Sequence, residues 1–79
     1  KKMMELLEFI EKFAEQFEDT DSTEIKSTTE FKKLDEWSSL TALSIIALAD
    51  EEYGVAIKGD DVKNSRTVED LFNIIKKRK

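Results

Sequence analysis

EWSSLTALSIIALADEEYGV, residues 36 to 55, joins a serine pair to an apolar run of helical length, an acidic exit and a glycine. Ser38 or Ser39 is placed to cap a helix, because a serine oxygen accepts one of the unpaired N–H groups of a first turn. Gly54 supplies the stop, since glycine is free to take the left-handed conformation that commonly ends helices. The pattern therefore predicts a helix from the serine pair to about Glu52. Leu40, Ala42, Leu43, Ile45, Ile46, Ala47, Leu48 and Ala49 make it apolar nearly all round, so it is buried or meets a partner on its outer face. A hydroxyl at its start is exposed and faces the positive end of the helix dipole, which favours a bound phosphate.

On the N-terminal side, residues 3 to 17 carry Met3, Leu6, Leu7, Ile10, Phe13, Ala14 and Phe17 at helical steps, with Glu5, Glu8, Glu11, Lys12 and Glu15 on the other face. The pattern stops at EDTDST (18 to 23), rich in residues that hydrogen-bond to local backbone and favour turns. A long connection follows, up to Ser38. Structureless loops of this length are uncommon in compact domains unless functional, so its apolar residues Ile25, Phe31, Leu34 and Trp37 are expected to pin it across the helices. On the C-terminal side, GDDVKN (59 to 64) has room for one short helical turn. Thr67 caps a last helix through residue 75 or so, with Asp70 as the acidic partner of a capping box and Val68, Leu71, Phe72, Ile74 and Ile75 as its buried face. No period-two alternation is sustained enough to demand a strand.

A chain of 79 residues allows one small domain, 1 to 79, and bundling is the obvious way for it to bury these stripes. With no cysteine and no histidine, disulfides, thiolate metal sites, histidine bases and the common zinc constellations are excluded. No apolar run approaches membrane-spanning length and none reads as a signal peptide, so a cytoplasmic protein is the default. The net charge of −5 is unevenly spread: without Lys1, Lys2, Lys76, Lys77, Arg78 and Lys79, seven basic residues face 18 acidic ones, a body charge of −11. Such a body repels nucleic acid and attracts basic partner surfaces. The basic tail closes the last helix against its dipole, and its outermost residues are expected to fray.

Ser39, Leu40, the helix-length apolar stretch, the acidic exit Asp50 to Glu52, then Tyr53, Gly54, Val55 and Ile57 resemble the signature of acyl carrier proteins. Members of that family present a serine, usually within Asp-Ser-Leu, at the start of their second helix. Here Ser38 stands where the family has Asp. Phe31, eight residues before Ser39, and Ile25, six before that, are similar to the family's loop anchors, and TVEDLFNII (67 to 75) looks like its last helix. Leu34 is one place out of the usual register, and Trp37 resembles a subset of bacterial carriers that read Trp-Asp-Ser-Leu.

The resemblance implies an all-α, four-helix acyl-carrier-like bundle of three main helices, one short helix and a long first loop. It implies a carrier, not an enzyme: a monomer whose Ser39 is esterified to 4'-phosphopantetheine, donated by coenzyme A through a phosphopantetheinyl transferase. A chain without cysteine holds an acyl group as a thioester only if a cofactor imports the thiol. Ser38 is the competing attachment site, although the spacing to Leu40 and Tyr53 favours Ser39. Acyl-transferring and synthase enzymes of fatty acid or related lipid and polyketide biosynthesis are the implied partners, meeting Leu40 and the acidic Asp50, Glu51, Glu52, Asp60 and Asp61. Family members also shelter acyl chains between their helices, a role for which the small Ala42, Ala47 and Ala49 of this helix leave room. Two alternatives stand beside this reading. One is an aminoacyl or peptidyl carrier; the other is a small helical interaction domain without a covalent cofactor. Calcium binding is disfavoured, because neither acidic cluster has the ligand alternation of an EF-hand loop.

Overall fold

The structure, a computed structural model, describes the backbone of residues 2–79 and side chains from Glu5 onward. Four α-helices are present among the described residues: α1 (Lys2–Ala14), α2 (Ser39–Tyr53), α3 (Gly59–Asn64) and α4 (Val68–Arg78). The architecture is the expected all-helical bundle of three main helices and one short one. Met3, expected on the apolar face of α1, has its side chain outside the described residues.

The long first connection is organised by two 3-10 turns, Ser22–Glu24 and Phe31–Lys33. Ile25 and Phe31 are buried, and Leu34 and Trp37 pack against the core, as their spacing requires. The loop also completes α4. Its Ser27 and Thr29 carbonyls accept the N–H groups of Glu69 (3.0 Å) and Val68 (3.2 Å), donors that a helix start cannot satisfy internally.

Two expectations for α1 are corrected. The helix stops at Ala14 rather than residue 17, because Gln16 and Phe17 donate to the carbonyls of Phe13 and Ala14 in the tighter i to i−3 spacing. Its buried stripe contains Phe9, fully buried, and leaves Leu7 55% exposed. At about 100° per residue Leu7 lies roughly 160° around the helix from Phe9, nearly opposite the buried Phe9 and Phe13. Rings then run in contact from α4 to the start of α2: Phe72 to Phe9 (5.4 Å between centroids), Phe9 to Phe13 (5.8 Å), Phe13 to Phe31 (5.3 Å) and Phe31 to Trp37 (4.9 Å). Tilted and edge-on pairs of this kind add to the burial itself.

At the C-terminus, α4 extends to Arg78 rather than ending near residue 75. Lys76 pairs with Glu5, Arg78 grips both carboxylate oxygens of Asp61 at 2.5 and 2.6 Å, and the Lys79 ammonium lies 5.6 Å from the Tyr53 ring centroid. These acid and aromatic partners lie on three other helices. No helix among the described residues is long and apolar enough to cross a membrane.

Candidate functional site

The two serines divide their roles at the start of α2. Ser38 has extended backbone and is the cap: its Oγ accepts from the Thr41 N–H at 3.3 Å, and its carbonyl accepts from the Ala42 N–H at 3.0 Å. Ser39 is the first helical residue, exposed, and its hydroxyl has no hydrogen-bond partner among the described residues. The far end closes as expected, with Gly54 at φ 65° donating its N–H to the Ala49 and Asp50 carbonyls.

Ser39 also lies on the edge of a groove of about 390 Å³ between α2 and α3. Trp37, Ala42 and Val62 form its apolar surface, and Lys32 and Lys63 stand at its rim. The Lys32 ammonium donates to the Lys63 carbonyl, tying the loop to the end of α3. A larger depression of about 570 Å³, lined mainly by polar residues from Asp19 to Glu36, opens elsewhere and does not include the serines. Of the three alanines weighed for a sheltering gap, Ala42 faces the groove, Ala47 is exposed to solvent and Ala49 is fully buried.

Along the outer side of α2, Leu40 is 76% exposed and Leu43 61% exposed, with Ala47 following one turn on. This apolar strip begins beside Ser39. The inner side is Thr41, Ile45, Leu48 and Ala49, so the uniformly apolar helix faces both ways: one side builds the core and the other is bare. Leu43 was not singled out from the sequence, although its position one turn beyond Leu40 was a usable signal. Lys32 and Lys63 carried no local signal, being 31 residues apart and joined only by the fold.

The acidic residues expected to meet partners are not equivalent. Asp50, Glu51 and Asp60 are exposed and form no ion pair among the described residues. Glu52 pairs with Lys12 at 2.8 Å. Asp61 is occupied within the fold: its carboxylate accepts the Lys58 N–H at 2.8 Å and the Arg78 guanidinium, and these two contacts hold it below the usual carboxylate range. Asp50 sits 11 residues beyond Ser39, about 16 Å along the helix axis. Ser39 thus borders an apolar groove with Lys32 and Lys63 at its rim, Asp60 follows the groove residue Gly59, and Asp50 and Glu51 lie at the other end of α2.

No family model, curated protein or solved structure matches the chain. The chemistry must be read from the site. Among the described residues Ser39 has no base within hydrogen-bond reach, and a serine hydroxyl is a weak nucleophile unless an adjacent base activates it. No cluster of three potential metal-ligating side chains occurs among the described residues.

Proposed function

We propose that this chain is a carrier protein whose Ser39 is the attachment point for 4'-phosphopantetheine. The observation that carries this reading is the division between the serines: Ser38 is engaged as the cap, and the Ser39 hydroxyl is free, exposed and one residue inside the helix start. A phosphate on Ser39 Oγ lies at the positive end of the α2 dipole, a favourable place for an anion. The groove lined by Trp37, Ala42 and Val62 is next to it, and the Lys32 and Lys63 rim complements the charge of a phosphodiester. When bound, the prosthetic group supplies the thiol that this cysteine-free chain lacks.

The chain's own contribution is presentation. Leu40 and Leu43 offer a partner an apolar contact beside the serine, and Asp50, Glu51 and Asp60 offer charges that set encounter rate and specificity. Acyl groups in fatty acid or related lipid or polyketide synthesis are the cargo this reading favours, with phosphopantetheinyl transferase and acyl-transferring enzymes as partners and the cytoplasm as the setting. A second reading, a helical interaction domain without a cofactor, is favoured by the same bare strip, since exposed leucines at helical spacing also suit a purely non-covalent partner. Incubation with coenzyme A and a broad-specificity transferase, read by intact mass, separates the two. Addition of one phosphopantetheine per chain supports the carrier; an unchanged mass supports the interaction domain.

A further inference from the structure

Glu36, three residues before Ser39, joins the exit of α1 to the start of α2. Its carboxylate accepts the N–H of Glu18 at 2.6 Å, the N–H of Asp19 at 3.0 Å and the hydroxyl of Thr20 at 2.8 Å. Its backbone carbonyl accepts the hydroxyl of Thr41 at 3.1 Å, and that hydroxyl lies 3.3 Å from the capping Ser38 Oγ. The neighbouring Trp37 makes the apolar counterpart, with its ring stacked on Phe17 at 6.4 Å and edge-on to Phe31 at 4.9 Å. Polar and apolar contacts from two adjacent residues therefore reach the same end of α1. The Thr20 hydroxyl and the two amides hold the Glu36 carboxyl below the usual carboxylate range, in keeping with hydrogen bonds that favour its ionised form.

We infer that Glu36 is a positioning residue for Ser39: by clasping residues 18 to 20 and Thr41 together, it fixes where the start of α2, and so the Ser39 hydroxyl, stands relative to the bundle. The consequence for modification rests on the carrier reading. The clasp itself does not. Hydrogen bonds to a charged acceptor are stronger than neutral ones, so deleting this carboxylate frees residues 18 to 20 and leaves the bond from Thr41 to the Glu36 carbonyl in place, but on a backbone no longer anchored to the exit of α1. The apolar strip of Leu40 and Leu43 is on the outer side of α2 and is not part of the clasp.

The test compares Glu36→Ala and Thr41→Val with Asp70→Ala, which removes the capping box of α4 at a distance from the serines. Amide hydrogen exchange in the unmodified protein reads the clasp. Exchange at Glu18 and Asp19, whose N–H groups lose a charged acceptor, is expected to quicken roughly tenfold in Glu36→Ala and to stay unchanged in Asp70→Ala. Transferase kinetics read the consequence. In Glu36→Ala and Thr41→Val kcat falls with KM unchanged, because the hydroxyl is misplaced while the docking strip is intact; a general loss of stability in Asp70→Ala leaves kcat alone. Unchanged exchange at Glu18 and Asp19 in Glu36→Ala overturns the clasp. Modification of Glu36→Ala at the wild-type kcat overturns the positioning role while leaving the carrier reading in place. A wild type that is never modified overturns the carrier reading, and exchange then decides the clasp by itself.

Discussion

Exchanging each serine for alanine, one at a time, separates stability from chemistry at the start of α2. Ser38→Ala removes the cap, and a capping serine contributes about 0.5–2 kcal/mol. The 3.3 Å bond to the Thr41 N–H is long and the site is exposed, so the lower part of that range applies, about 0.5–1 kcal/mol. For a domain of this size that is a fall in Tm of about 3–6 °C. Ser39→Ala removes no hydrogen bond, and alanine is the better helix former, so its Tm stays within about 2 °C of wild type. Modification reverses the order. Ser38→Ala still takes up one phosphopantetheine, and Ser39→Ala takes up none. Thermal melting by circular dichroism and intact-mass analysis after transferase treatment together read the crossed pattern. Loss of modification in Ser38→Ala with retention in Ser39→Ala would show that the attachment register is wrong. A larger Tm fall in Ser39→Ala than in Ser38→Ala would refute the capping assignment.

Three further outcomes follow from the same geometry. Reversing Glu51 and Asp60 to lysine, both exposed and unpaired, should slow association with the transferase, as should added salt, which screens exposed charges, while helical content changes little; rates indifferent to both would leave the Leu40 and Leu43 strip as the whole recognition surface. A medium-length acyl form should melt above the bare phosphopantetheine form if the groove shelters cargo, and Ala42→Phe, which fills the groove from its wall, should erase the difference; equal melting of both forms in wild type would place the cargo in solvent. Asp70 is held below the usual carboxylate range by the Thr67 and Arg66 amides, and Asp61 by the Lys58 amide and Arg78, so each contributes stability above the ordinary carboxylate range that is lost as pH falls through the depressed folded value. Acid titration of Asp70→Asn followed by circular dichroism should show a shallower loss than wild type, and an identical acid limb would refute this role.

Residues 36 to 55 contained enough to place α2 to within a residue, because the cap, the apolar run and Gly54 act through local backbone chemistry. The same holds for α4's capping box and for the loop anchors Ile25 and Phe31, whose aromatic or branched bulk has only one place to go in so small a core. Which face of α1 is buried was less legible. Leu7 and Phe9 are equally hydrophobic, and the choice between them depends on the rotation of α1 against Phe72, Tyr53 and Phe31, which no local pattern contains.

What the sequence determined by itself, then, is local: where helices begin and end, and that one serine of a pair stands at a helix start. The spacing to Leu40 and Tyr53 already favoured Ser39 over Ser38, and the cap that engages Ser38 is itself a local contact to Thr41. Tertiary structure decided which charges remain available, because Asp61 and Arg78 are 17 residues apart and Lys76 and Glu5 are 71 apart, and only the packing of α4 against its neighbours brings them together. The groove beside Ser39 has the same origin. Its walls come from the long loop, α2 and α3, and a surface shared by three segments exists only once the core has fixed their relative positions.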